Sequence, residues 1–354
     1  MRQLHFLSFS RSTTRNGTHC GAGPNIFIKL APAKPTEVFS AYWHFAVERQ
    51  KVFFKRIAGE AQPWTEDEIL QHYKFTNAYR ASDRVSQYLI RRILYEKRLP
   101  PDDVFFRCLL FKIFNKIETW ELLEAEIGDI RAETFDEYAY DAVLTRAMRE
   151  KTPIYSAAYI MPSGGSWTKC VYKHQMHLKL LRKMLKDKVW EKLAAAPTMG
   201  KAFEVLRSYP TIGDFLAYQY VTDLNYSTLT NFDEMEFVVP GPGAKNGINK
   251  CFSSIGGLTE SEIIRYVTDS QEFFFDELGL SFQSLWGRRL QLIDCQNIFC
   301  EVDKYARVRF PEYSGASGRT RIKQLYKRPK PLPKPFYPPK WGLKINTNTE
   351  VSIG

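Results

Sequence analysis

The chain contains no Cys-x-x-Cys pair and no closely spaced cysteine quartet, although it has six cysteines, at 20, 108, 170, 251, 295 and 300. A structural zinc or an iron–sulfur cluster needs such spacing to gather its thiolates. No metal and no cofactor is therefore expected, and reduced thiols are the simplest account. No run approaches the ~20 apolar residues of a membrane-spanning helix. The opening Met1-Arg2-Gln3-Leu4-His5-Phe6-Leu7 lacks the continuous apolar core of a secretory signal. A cytoplasmic protein with no membrane partner and no obligate protein partner is the expectation. Also missing is Gly-x-x-x-x-Gly-Lys-Ser/Thr, the loop whose amides cradle nucleotide phosphates. Strand signals are few and short, and no internal repeat appears. Acidic residues are the scarcer charge: 39 Asp and Glu stand against 50 Lys and Arg, a net charge of +11. That excess favours an anionic partner, nucleic acid first and an anionic membrane second.

What the chain does have is apolar and aromatic content, 44% and 14%, enough for a sizeable core. Residues 1–34 read as a polar extension with one short strand at Ile26–Leu30. Residues 35–312 read as one compact, mainly α domain. Its first helix starts after Thr36 with an apolar stripe through Phe39, Trp43, Val47 and Phe54. Thr65 with Glu68 predicts a capping box, as does Thr259 with Glu262. Further helices are predicted over 83–95, 100–114, 118–127, 135–150, 173–194, 200–208, 214–225, 260–278 and 288–306. Residues 313–354 form a basic arm laced with prolines and aromatics, which fits either an extended track along DNA phosphates or a tail folded back through its rings.

Several clusters carry polar chemistry. In Phe75-Thr76-Asn77-Ala78-Tyr79-Arg80-Ala81-Ser82-Asp83, the Asn77 amide, Tyr79 phenol, Arg80 guanidinium and Asp83 carboxylate share one connection. Asn and Arg can make paired hydrogen bonds to base edges or phosphate, while Ser82 or Asp83 can instead cap the next helix with Arg80 paired to the carboxylate. On a helix over Leu292–Tyr305, Gln296 shares a face with Cys300, and Asn297 with Glu301 and Lys304. These residues line either an internal polar network or a pocket wall. Gly241-Pro242-Gly243-Ala244-Lys245 and Pro162-Ser163-Gly164-Gly165-Ser166 read as glycine-rich turns able to meet a DNA phosphate. His174 and His177 sit at i and i+3 on a helix with Lys173, Lys179, Arg182 and Lys183. They read as a solvated, DNA-facing surface rather than a metal site.

Tyr209-Pro210-Thr211-Ile212-Gly213-Asp214 reads as a helix, a tight turn relying on Gly213 for positive φ, and a second helix. The amides opening that helix suit a phosphate. Asp233 follows at 233 − 213 = 20 positions. This arrangement resembles the helix-hairpin-helix DNA glycosylases, in which the hairpin grips DNA and an aspartate at about this separation serves the flipped nucleotide's sugar. The ordered set Phe75–Asp83, Lys112-Ile113-Phe114-Asn115, Pro210–Ala217, Pro240–Ala244 and Asp294–Tyr305 resembles one family over about residues 35–312. That family is the bacterial and phage DNA-base hypermodification family, comprising the α-glutamyl/putrescinyl thymine pyrophosphorylases and the helical domain of 5-hydroxymethyluracil DNA kinases.

The resemblance implies a mainly α, helix-hairpin-helix glycosylase-like domain with two helical lobes around a cleft. Its partner would be double-stranded DNA carrying a modified base. The first expected chemistry is excision of a hypermodified pyrimidine, 5-hydroxymethyl-derived and glucosylated in one version, by N-glycosidic hydrolysis that leaves an abasic site in anti-phage defence. Asp233 is its key carboxylate, with Asp223, Glu234 and Glu236 as rivals. A monofunctional enzyme is expected, because Phe215 stands where bifunctional relatives place a lysine. The base pocket would comprise Asn77, Tyr79, Arg80, Asp83, Asn115, Gln296, Asn297 and Lys304. Thr211, Gly213, Gly243, Lys245 and Lys250 would meet the DNA backbone. The alternatives are transfer chemistry at the hydroxymethyl group, including amine displacement of its phosphate, and a non-catalytic reader of modified DNA.

Overall fold

The computed structural model describes residues 10–12, 27–29, 32–157, 167–313, 318–327, 332 and 334–346. The glycine-rich loop 162–166 and most of the N-terminal extension lie outside them. The mainly α expectation holds. Short strands β1 (Ser10–Ser12) and β2 (Phe27–Lys29) pair antiparallel, the second where a strand is expected. After β3 (Lys34–Pro35) come α1 (Glu37–Ile57), α2 (Glu68–His72) and α3 (Arg84–Tyr88), the last continuing into a π-helical turn over Leu89–Leu94. Then follow α4 (Pro101–Phe114), α5 (Ile117–Ile127), α6 (Glu137–Arg149), α7 (Lys173–Lys186) and α8 (Val189–Ala194). The remainder is α9 (Met199–Arg207), α10 (Asp214–Leu224), α11 (Pro242–Cys251), β4 (Phe252–Ser254), α12 (Glu260–Asp269), α13 (Gln271–Glu277) and α14 (Leu292–Arg309).

The chain divides into two compact units. The first comprises Met1–Ala78, Pro240–Ser284 and Leu290–Pro331. Its core is aromatic: Trp43 stacks on Phe274 at 5.3 Å, and Tyr42 meets Phe299 at 4.5 Å. Such ring pairs add to the stabilisation that area burial already gives. Helix α11 lies against α14 at Gly247, where a Cβ would fall 2.0 Å from the Phe299 carbonyl oxygen. Only glycine permits that approach. The β3–β4 pair belongs to the same unit.

The second unit comprises Tyr79–Val239, Leu285–Arg289 and Leu332–Gly354. Helix α4 is its centre, buried from Asp103 to Phe114 because it is apolar nearly all round. Arg107 is tolerated there by donating to the carbonyls of Ile93 and Ile130, each at 3.1 Å.

Several predicted details are corrected by packing. Thr65 makes no capping box; its hydroxyl accepts from Asp67 N, and Asp67 caps α2 by accepting from Ile69 N and Leu70 N. The predicted 173–194 helix breaks at Lys188, which is left-handed at φ 51, and the 260–278 helix breaks at Ser270. The Pro242–Lys245 turn is instead the start of a helix. The capping box at Thr259 and Glu262 forms as predicted.

His174 and His177 do not face solvent: both are 0% exposed. His174 Nε2 lies 2.7 Å from Asp141 and 3.0 Å from Thr145 Oγ1, and His177 Nδ1 lies 2.7 Å from the Tyr155 hydroxyl. In the 209–214 turn, Gly213 is extended at φ −81, and Thr211 takes the left-handed conformation at φ 68. The left-handed residue thus stands two positions before the glycine that the pattern favours.

Candidate functional site

The second unit holds its polar chemistry at the junction of three elements. Arg80 sits in a 3-10 turn, Arg80–Ser82, and is 2% exposed. Gln219 and Asp223 lie four apart on α10 and so share one helix face. Arg80 forks onto Asp223 with Nη1–Oδ1 at 2.7 Å and Nη2–Oδ2 at 2.9 Å. It also donates to Gln219 Oε1 and the Tyr226 hydroxyl. Lys112 of α4 approaches the same carboxylate at 3.3 Å and donates to Asn115 Oδ1 at 2.8 Å. Asn115 ends α4 in the left-handed conformation, φ 49, which Asn tolerates better than most residues. Burial pushes the Asp223 carboxyl up, but the charges of Arg80 and Lys112 outweigh it and hold the carboxyl below its ordinary value. Arg80 is thus paired with Asp223, 143 positions further on, and the Asp83 side chain does not cap α3.

Tyr79 anchors the same unit. Its hydroxyl donates to Arg288 O at 2.5 Å and accepts from Leu285 N at 3.2 Å. Arg288 lies 2.7 Å from Glu234 and 3.8 Å from the centre of the Trp341 ring. Burial raises the Glu234 carboxyl despite the opposing charges of Arg288 and Lys340. Lys340 is an exposed residue, yet its ammonium donates to the carbonyls of Ser227 at 2.9 Å and Thr230 at 2.6 Å. Burial of that ammonium lowers Lys340 to about 8. Amine labelling followed by peptide mass spectrometry should therefore give Lys340 a reactivity midpoint near about 8. A midpoint above about 10, the ordinary lysine value, would show that the ammonium is not enclosed.

The first unit carries a separate network. Lys250 of α11 lies 3.2 Å from Asp303 of α14, and Arg307 pairs with the other oxygen of that carboxylate. Glu301 accepts from Thr76 N at 3.0 Å and pairs with Lys304 at 2.6 Å. Lys304 also lies over the Phe75 ring. Gln296 accepts from Gly241 N at 3.1 Å and donates to Asn297 Oδ1 at 2.6 Å. Asn77 Oδ1 accepts from Arg49 at 3.1 Å.

The structure gives the predicted residues very different surroundings. Asp223 is 0% exposed and neutralised within the core. Asp233 is exposed and accepts from Met235 N at 2.8 Å, a local turn, and Glu236 is also exposed. Lys250 is 2% exposed and committed to Asp303, so it does not present its charge to a DNA backbone. Gly243 faces Cys300, with a built Cβ 3.1 Å from Sγ, and so serves helix packing rather than a phosphate turn. Lys245 and Gly213 are exposed and Thr211 is half-buried. Lys112, Gln219 and Tyr226 complete the Arg80–Asp223 cluster but were not among the predicted site residues. A glutamine and an aspartate four apart on a largely apolar helix were the available signal.

A mainly helical chain with charge networks buried in each unit matches a known family: residues 36–315 match the one described as 5-hmdU DNA kinase, helical domain, and the chain belongs to it. It is 25% identical over 326 residues to a 5-hmdU DNA kinase of Bacillus phage SP10, covering 85% of this chain and 50% of that protein. The chain thus spans about half the length of the curated relative it matches. No solved structure matches it significantly. These findings overturn the excision expectation. The relative is a kinase, and a kinase forms a phosphate ester where a glycosylase breaks an N-glycosidic bond. Hydrolysis by Asp233, Asp223 or Glu236 does not stand.

Proposed function

We propose that this chain holds a 5-hydroxymethylated pyrimidine of double-stranded DNA for group transfer at its hydroxymethyl oxygen, with phosphorylation as the first transfer. The observation that carries this reading is the family match over residues 36–315, and the kinase relative supports the choice of transfer. In phosphorylation the hydroxymethyl oxygen bonds to the γ-phosphorus of a nucleoside triphosphate. The β–γ bridging P–O bond breaks, and the hydroxyl proton passes to a base. The sequence has no Gly-x-x-x-x-Gly-Lys-Ser/Thr loop, so this reading gives the chain the base-holding part of the reaction. Half-buried Asn297 and Lys304 on α14 offer an amide and an ammonium to a base edge. Exposed Lys245 offers charge to the DNA backbone. The α9–turn–α10 segment supports, within this proposal, a clamp of the helix-hairpin-helix kind.

The same missing loop favours a second reading, displacement of an already installed phosphate by an amine. The test uses duplexes that differ only in 5-hydroxymethyluracil, its phosphate ester or thymine. Binding is read by fluorescence anisotropy, and the digested nucleosides by mass spectrometry after incubation with ATP or with a polyamine. The expected result is roughly tenfold tighter binding to the hydroxymethylated duplex, lost in Lys304→Met without change on thymine DNA. A phosphoryl mass gain would mark the first transfer, and an amine adduct on the phosphorylated duplex the second. Equal binding to all duplexes with no adduct, or release of free base, would refute the reading.

A further inference from the structure

A cavity of about 200 Å³ in the first unit is unused by the chemistry above. It opens between α1, the loop to α2, α2 itself and the segment 318–327. Its wall carries Arg49, Arg56, Gln62, Trp64, Gln71 and Tyr326, and no Asp or Glu.

Arg56 is the informative side chain. It is half-buried, and its guanidinium lies 5.3 Å from the centre of the Trp64 ring. Among the described residues no carboxylate and no hydrogen-bond acceptor holds that guanidinium. The Tyr326 hydroxyl is buried close by and closes no hydrogen bond of good geometry, although Gln62 is near. Its backbone is fixed: Tyr326 N donates to His72 O at 2.8 Å, and Lys74 N donates to Gln324 O at 3.0 Å. Gln71 is already committed to Thr65 O at 2.7 Å.

A buried hydroxyl without an acceptor, such as that of Tyr326, costs free energy, and a guanidinium is shaped to grip oxyanions in pairs of hydrogen bonds. A cation over an indole, an unsatisfied phenol and a wall without carboxylates together complement an anion rich in oxygen acceptors. Size narrows the choice. Pockets for drug-sized ligands run to roughly 300–1,000 Å³, so this cavity suits one phosphate with part of its sugar and not a nucleoside triphosphate.

We infer that this cavity binds a phosphate ester, with Arg56 as the charged donor and Tyr326 as the neutral one. Tyr326 lies beyond the 36–315 span that the family match covers, so the site draws partly on the C-terminal arm. The inference goes beyond the base-holding proposal and does not need it, because a phosphate contact is blind to the base. A strand of DNA and a free nucleotide carry the same ester, and the experiment separates them.

The full chain is compared with Arg56→Gln, Arg56→Lys and Tyr326→Phe. The probes are a thymine duplex, a 5-hydroxymethyluracil duplex, deoxythymidine monophosphate and inorganic phosphate. For a DNA source, Arg56→Gln should weaken both duplexes equally, by roughly five- to tenfold, and lower the slope of log affinity against log salt by about 0.9. Arg56→Lys should keep the slope, and Tyr326→Phe should lose a smaller factor at unchanged slope. For a free-ester source, the mononucleotide and inorganic phosphate should bind and compete in the full chain but not in Arg56→Gln, with duplex affinity unchanged. Arg56→Gln should melt within a few degrees of the parent, because only the contact over Trp64 is lost and no buried partner is orphaned. No change with any probe would overturn the inference, as would a clear fall in melting temperature that marks Arg56 as a structural residue.

Discussion

Gly247→Ala should destabilise the protein by at least about 3 kcal/mol, the upper end of the usual cost of overpacking. The added Cβ would stand 2.0 Å from Phe299 O and 2.7 Å from Phe299 C. Both are backbone atoms of α14, so no rotamer can relieve the clash. The helices must part, which loosens contacts along the whole seam between α11 and α14. Replacing a helical glycine by alanine gains about 1 kcal/mol of intrinsic helix propensity, and the steric cost exceeds that gain. Gly200→Ala in α9 is the control, since its Cβ would make ordinary contact with Phe237 at 3.5 Å. It should leave stability unchanged or slightly raised. Chemical denaturation followed by circular dichroism reads both variants. A Gly247→Ala protein as stable as Gly200→Ala would show that α11 and α14 do not approach this closely.

Asp223→Asn should be the second large effect. The carboxylate is enclosed with Arg80 and Lys112, and an amide would leave both cations without that charge inside the unit. Removing one partner of a buried pair costs about 3–5 kcal/mol. That corresponds to a fall of roughly 10 °C or more in the melting of a unit of this size. The pH dependence has a definite sign. Because Asp223 lies below its ordinary value when folded, its contribution is complete above the unfolded carboxyl value of about 3.9. It is lost as pH falls through the lower folded value. Acid unfolding should therefore be less steep in Asp223→Asn than in the parent. A variant that melts within a few degrees of the parent, with the same acid profile, would show that the cluster carries little of the fold.

These two residues also show what the sequence makes legible. Helices α1 and α4 follow directly from apolar spacing, because burial on one face or on all faces imposes that spacing. Helix α11 does not, because Gly241-Pro242-Gly243 has the composition of a turn. Its glycines answer to Phe299 and Cys300, some fifty positions away, and no local pattern records that contact. Asp223 was legible as a carboxylate of interest, but its role depends on Arg80, 143 positions earlier. A neighbouring Asp83 offered the simpler local partner. His174 and His177 misled for the same reason: a basic stretch suggests a wet face, while Asp141 and Tyr155 on distant segments bury the rings. The DNA-modification kinship was readable from motif order. The direction of the chemistry was not, because a carboxylate some twenty residues past a hairpin carries no mark of whether a bond is to be broken or made.

The docking of Tyr337, Lys340 and Trp341 bears on where this protein can be cut. The family match ends at residue 315, yet Tyr337 bonds Ser82 at 2.7 Å, and Trp341 covers the guanidinium that faces Glu234. A recombinant fragment trimmed to the family boundary would uncover that arginine–glutamate pair and the apolar seat of the two rings. Such a fragment would be prone to aggregation, and its failure to act would say nothing about the helical domain itself.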